Sequence, residues 1–317
     1  MDLFSKLKWT HYLSFFFIGF IIVTFPLVLL NLKPEINFNY EFDLVQIGRV
    51  PILKEELEEP IEVLMEGISA DHYIVLDIDS GAVLLEKDST VSAFPASTTK
   101  IMTALVAKEN YDLDYILEVR AESLKEDNKL GFRVGEKVRV ADLLHAALIS
   151  SSNEAAEVLA SGLGSGREEF VNLMNRKARD LNLDQTLFIN PSGFDNENIY
   201  STARDLGILS RELIKDDYLK GIVGIKEYSF NDVDEKYTHP LYNTNKLLHE
   251  IPDVTGVKTG TTDGAGQVLI TLVEREESRV LIVVMGSTNR YLDTTQIIDW
   301  IFSSYEWVDV DINNLID

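Results

Sequence analysis

The sequence predicts an α+β domain in which both ends of the chain supply strands to one antiparallel sheet, packed with helices and flanked by an all-helical lobe. Two observations carry this. Short strand-like apolar segments stand at Tyr73–Ile78, Ala82–Leu85, Gln267–Val273 and Arg279–Met285, near the two ends of the 317-residue chain. Between them lie long amphipathic segments with helical spacing, free of internal repeats and low-complexity tracts.

The elements follow in order. Residues 12–32 carry no charge and are mostly Phe, Ile, Leu and Val. That length spans a bilayer as a helix, and Pro26 is a tolerated kink. Lys6 and Lys8 precede the run and acidic residues follow it, which places residues 1–11 in the cytoplasm and the body of the chain outside. Asn31-Leu32-Lys33-Pro34 offers no small-x-small cleavage site, so an uncleaved signal anchor is expected. Residues 33–69, with a glutamate cluster from Glu55 to Glu66, read as an acidic stalk holding one short helix near Glu58–Met65.

The folded domain is expected over residues 70–317. Asp79-Ser80-Gly81 is a turn between the first two strands. Ser97–Asn110, Val140–Ser150, Asn153–Leu163, Glu168–Leu181 and Ala203–Lys215 read as helices. Glu274–Ser278 joins the last two strands as a hairpin, and Asp293–Tyr305 closes the domain as a helix.

Composition removes several function classes. A net charge of -23 argues against nucleic acid, which needs a basic stripe. The chain has no cysteine, which excludes disulfides, thiolate catalysis and cysteine zinc sites. Its five histidines show no metal spacing, so neither a metal nor another cofactor is expected. Gly162-Leu163-Gly164-Ser165-Gly166 follows a helix, where a turn is expected instead of a phosphate loop.

Three short stretches carry the chemistry: Ser97-Thr98-Thr99-Lys100, Ser151-Ser152-Asn153 and Lys258-Thr259-Gly260-Thr261. A serine hydroxyl needs a base beside it, and residues three apart share one face of a helix. Ser97 and Lys100 therefore meet if Ser97 opens a helix, and Pro95 marks such a start. Lysine acts as base only when unprotonated, which burial or a second cation such as Lys258 promotes. Ser151, Ser152 and Asn153 sit between two helices, where either Asn153 or Ser152 caps a helix or the stretch serves the site, Ser151 by passing a proton and Asn153 by holding a carbonyl or Lys100. Gly260 permits a close backbone approach, and Lys258, Thr259 and Thr261 together suit a carboxylate, although alone the stretch reads as a polar turn.

Taken jointly and in this order, the stretches match the S-x-x-K, S-x-N and K-T-G set, and the chain resembles low-molecular-mass penicillin-binding proteins of the D-alanyl-D-alanine carboxypeptidase family. The likeness extends to Leu143–Ala156, Phe188–Phe194, Tyr200–Leu206 and Asn243–Leu248, so it covers about Ala70 to Tyr305. It implies a fold like that of the serine beta-lactamases and D,D-peptidases. It also implies attack by Ser97 on the bond between the last two D-alanines of a peptidoglycan stem peptide. In that scheme Lys100 is the base, Ser151 relays the proton, and the Ser97 and Thr261 amides hold the oxyanion. Lys258, Thr259, Gly260 and Thr261 bind the terminal carboxylate, with Arg290 resembling a family arginine near it. Beta-lactam antibiotics are then acylating inhibitors, and the N-terminal helix holds the enzyme on the wall side of the cell membrane.

Some residues depart from the family. Glu154 stands where Asp is usual, Tyr200 where His is usual, and Thr261 replaces bulkier residues. The sequence given ends at Asp317, without the β-rich second domain and amphipathic tail of many relatives. A D,D-endopeptidase cutting cross-links is therefore the alternative to a carboxypeptidase. A beta-lactamase is disfavoured by the lack of a Glu-x-x-Leu-Asn segment, and a non-catalytic wall-binding module by the intact Ser97, Lys100 and Lys258.

Overall fold

The computed structural model describes residues 49–124 and 129–310. In chain order, β1 (Arg49–Leu53) and α1 (Ile61–Gly67) precede the hairpin β2 (His72–Asp77) and β3 (Val83–Lys87). A 3-10 turn at Ala96–Thr99 runs into α2 (Lys100–Asn110). The short pair β4 (Ile116–Glu118) and β5 (Lys137–Arg139) leads to α3 (Val140–Leu148), α4 (Asn153–Ser161), α5 (Arg167–Asp180), α6 (Ala203–Lys215) and α7 (Asp217–Val223). Next come the hairpin β6 (Glu227–Asn231) and β7 (Thr238–Tyr242) and the single turn α8 (Leu247–Glu250). Strands β8 (Val254–Thr262), β9 (Gly266–Arg275) and β10 (Ser278–Ser287) are followed by α9 (Arg290–Ser304) and β11 (Tyr305–Asp309).

The main sheet has the order β3-β2-β10-β9-β8, every pair antiparallel. Its central strands β2, β10 and β9 read as nearly unbroken apolar runs because both faces are covered. Ile74, Leu281, Val283 and Ile270 turn to the helical lobe, while Tyr73, Val75, Ile282 and Val284 turn to α1 and α9. In the lobe, α2 is buried along Lys100–Ala107 and packs against α3, α4, α5 and α6. A helix with apolar residues all round belongs in such a position.

Residues 49–69 correct the expected domain boundary. They belong to the fold and are not stalk: β1 pairs with β11, Lys54 donates to the Ser303 carbonyl at 2.6 Å, and Trp300 donates to the Glu59 carbonyl at 3.0 Å. Leu57, Ile61, Leu64 and Ile68 recur at helical spacing and pack against the α9 side of the sheet, with Leu64 and Ile68 buried. The glutamates between them hide that stripe from a reading based on composition. The expected segments 1–11 and 12–32, and residues 33–48 of the expected stalk, lie outside the described residues. Among the described residues, no helix is long and apolar enough to cross a membrane.

Candidate active site

Ser97 sits in the 3-10 turn at the entrance to α2. A 3-10 turn has three residues per turn, so i and i+3 eclipse. Lys100 accordingly lies directly beneath Ser97, with its Nζ 2.9 Å from Ser97 Oγ. Ala96 enters the turn at a φ of 48°, a left-handed conformation that few residues with a side chain adopt.

The Lys100 amine is fully buried and also lies 2.7 Å from Asn153 Oδ1 and 2.7 Å from the Ser192 carbonyl. Both are acceptors. A neutral amine has two N–H donors and one lone pair, and two carbonyls use up the donors. The protonated amine donates to Ser97 Oγ, whereas in the neutral form the lone pair is left for Ser97 Oγ, which can supply a proton. This is the arrangement a general base requires.

Asn153 is the first residue of α4, and Ser152 caps that helix, its hydroxyl accepting the Ala155 amide at 3.0 Å. The capping role therefore falls to Ser152, which leaves Ser151 and Asn153 to the cleft. Ser151 holds a φ of 60° in the connection between α3 and α4 and lines the same 510 Å³ cavity as Ser97, Asn153, Thr259, Thr261 and Arg290.

The Lys258–Thr261 stretch lies within β8, not in a turn before the strands. This strand runs beside the Ser97 turn. A β-carbon on Gly260 would stand 2.9 Å from the Ala96 β-carbon and 3.0 Å from the Ser97 amide nitrogen, so a glycine is needed there. Thr259 and Thr261 face the cavity. Lys258 does not: it is 1% exposed, and its amine donates to the Thr259 carbonyl at 3.0 Å. Burial first, then Lys100, then Arg290 push its pKa well below the ordinary lysine value. The repulsion between the two lysines is mutual, so the site resists holding a proton on both.

Arg290 opens α9 and braces this strand, donating to the Gly260 carbonyl at 2.6 Å and Thr261 Oγ1 at 2.8 Å. The Thr259 and Thr244 hydroxyls lie 2.6 Å apart, and Tyr291 donates to the Thr244 carbonyl at 2.9 Å. Glu154, one residue past Asn153, accepts the Leu130 amide at 2.5 Å.

Sequence reasoning missed the Ser192 carbonyl, a backbone atom with no signature of its own. Its support does have one. Asn190 accepts the Ser192 and Gly193 amides at 3.2 and 2.6 Å and donates to the Phe194 carbonyl at 3.0 Å. Gly193 sits at a φ of 86°, and a β-carbon there would overlap the Ala96 carbonyl. An Asn-Pro-Ser-Gly segment between helices is a turn signal that marked this loop.

The sequence pattern of the D-alanyl-D-alanine carboxypeptidase family matches residues 58–289. The D-alanyl-D-alanine carboxypeptidase DacF of Bacillus subtilis is 34% identical over 80% of this chain and 66% of its own length. DacC of Escherichia coli is 32% identical over 76% of this chain and 63% of its own. The chain thus spans slightly less than two thirds of these relatives. The crystal structure of the Streptomyces K15 DD-transpeptidase is similar at 29% identity and a TM-score of 0.71, covering 74% of this chain and 98% of that one. That of a D-alanyl-D-alanine carboxypeptidase from Mycobacterium tuberculosis has 30% identity and a TM-score of 0.69, covering 74% and 91%. The fold is the D,D-peptidase fold expected from the sequence, and with most of its length matched the chain belongs to the D-alanyl-D-alanine carboxypeptidase family.

Proposed function

We propose that this chain is a serine D,D-carboxypeptidase that removes the terminal D-alanine of peptidoglycan stem peptides through a Ser97 acyl-enzyme. The observation that carries the reading is the Lys100 amine, which meets two carbonyl acceptors and the Ser97 hydroxyl. Ser97 Oγ adds to the carbonyl carbon while its proton passes to Lys100 Nζ. The developing oxyanion is stabilised by the Ser97 and Thr261 amides, a donor of this kind being worth about 3 kcal/mol of barrier. The proton then reaches the departing amine by way of Ser151, the C–N bond breaks, and D-alanine leaves. Water cleaves the remaining ester, giving the shortened peptide acid and restoring Ser97. Thr259 and Thr261, braced by Arg290, take the substrate carboxylate.

The apolar run at 12–32, preceded by Lys6 and Lys8, supports attachment to the cell membrane with the catalytic domain on the wall side. Incubation with a fluorescent penicillin, followed by mass spectrometry, tests the site. A stable adduct on Ser97 that Ser97→Ala abolishes is expected. No adduct would mean a non-catalytic module, and rapid turnover a beta-lactamase. Free D-alanine from a pentapeptide separates the carboxypeptidase from an endopeptidase, which instead yields monomers from cross-linked dimers.

A further inference from the structure

Beside the catalytic cluster, a buried histidine–carboxylate contact lies behind the wall of the cleft. His239 on β7 is 3% exposed, and its Nε2 lies 2.5 Å from Glu136 Oε1. Phe132 and Phe230 pack against the ring, with centroids 4.8 and 5.0 Å away. The other ring nitrogen, Nδ1, lies 3.3 Å from the Leu130 carbonyl oxygen. Glu136 is 4% exposed, and its second oxygen accepts the Arg133 amide at 3.0 Å.

Both ring nitrogens therefore meet acceptors. A neutral imidazole has one N–H, so beside a carboxylate it leaves one of the two contacts without a proton. The contact of Nε2 with Glu136 fixes the ring so that Nδ1 faces the Leu130 carbonyl, where an N–H on that nitrogen donates to it. A partner on one ring nitrogen fixing what the other can do is the usual way a histidine is oriented. In a buried network an unmade contact is costly, so the pair acts as a unit.

Leu130 links this unit to the site. Its amide donates to Glu154, the neighbour of Asn153, which in turn accepts from Lys100. Leu130 lines the catalytic cavity, as do Pro240 and Tyr242, which follow His239 along β7. His239 thus joins two wall segments that come from distant parts of the chain.

We propose that His239 is a positioning residue for the acyl donor: through the Leu130 carbonyl it holds the Leu130 wall at a fixed separation from Pro240 and Tyr242, and so sets the width of the cleft in which the peptide arm lies. This rests on the D,D-peptidase reading above. The group recognised is the peptide chain preceding the scissile D-Ala-D-Ala bond, not the terminal carboxylate.

The test measures D-alanine release from N,N′-diacetyl-Lys-D-Ala-D-Ala by the full chain. His239→Asn keeps a donor near the Nδ1 position, and His239→Gln keeps one near Nε2. His239→Gln is expected to raise KM about fivefold or more with kcat within about twofold, and His239→Asn to keep KM within about twofold, although both lower Tm. KM rising equally in both variants in step with Tm, or rising in neither, would overturn the proposal. Should neither variant fold, Leu130→Ala decides: a KM about fivefold higher at near wild-type Tm supports it, and an unchanged KM overturns it. If the wild type itself takes no penicillin on Ser97 and releases no D-alanine, the D,D-peptidase reading fails and this proposal falls with it. An active wild type with indistinguishable variants defeats the positioning role alone.

Discussion

Gly260 passes so close to Ser97 that a β-carbon on it would stand 3.0 Å from the Ser97 amide nitrogen. The third motif thereby fixes the geometry of the first. A methyl group at this position meets backbone on one side and the Ala96 β-carbon at 2.9 Å, neither of which is the end of a flexible side chain. Gly260→Ala must therefore move β8 and the Ser97 turn apart, which separates the two amides assigned to the oxyanion. Acylation of Ser97 by a fluorescent penicillin is expected to slow about 100-fold, the size usual for loss of one oxyanion donor. A rate near wild type would show that the close approach does not serve the chemistry.

Asn190 acts one step further back. Its carboxamide shapes the loop that presents the Ser192 carbonyl to Lys100. Asn190→Ala frees that loop and weakens one of the two acceptors that occupy the amine's N–H groups. Acylation is expected to fall about tenfold, within the range general-base catalysis contributes. A thermal melt run in parallel separates this effect from unfolding, because a loss of folded protein lowers the labelled fraction without slowing its rate.

The sequence made the fold class legible because its strands stand at the two ends of the domain and its helices between them. Ala203–Lys215 matches its expected bounds, with Thr202 capping it and Asp205 in the first turn. The β6–β7 hairpin escaped because Asn231, Asp232 and Pro240 break up its short alternation. The Lys258–Thr261 stretch read as a turn because its two threonines and glycine mask a strand whose partner, β9, supplies most of the apolar signal. Asn153 and Ser151 were legible as candidates through spacing alone, whereas the task of capping α4 went to Ser152, which only the backbone geometry could decide.

The corrected domain boundary gives a stability prediction. A chain beginning at Ala70 lacks β1, the partner of β11, and leaves the surface beneath Leu64 and Ile68 open to water. Losing the burial of two such side chains costs about 3–6 kcal/mol. For a domain of this size that lowers Tm by roughly 10 °C relative to a chain beginning at Arg49. Differential scanning calorimetry of the two chains measures it. Equal Tm values would return residues 49–69 to the status of a stalk.

Lys258 gives a prediction of the opposite sign. Its pKa is held well below 10.5, chiefly by burial and then by Lys100 and Arg290. Between its folded value and 10.5, the folded chain binds fewer protons at this position than the unfolded chain does, so wild-type stability rises with pH across that window. A methionine in its place fills similar space and has no proton to exclude. Lys258→Met is therefore expected to be more stable than wild type at neutral pH, by about 1 kcal/mol. That advantage shrinks as the pH climbs through 10.5, above which the lysine is neutral in both states. The same variant should acylate poorly, because it removes the amine that holds the Thr259 carbonyl and disturbs the strand that carries Gly260. Urea denaturation at neutral and alkaline pH, with penicillin labelling beside it, checks both halves. A stability advantage that grows with pH would show that burial is not what governs this lysine.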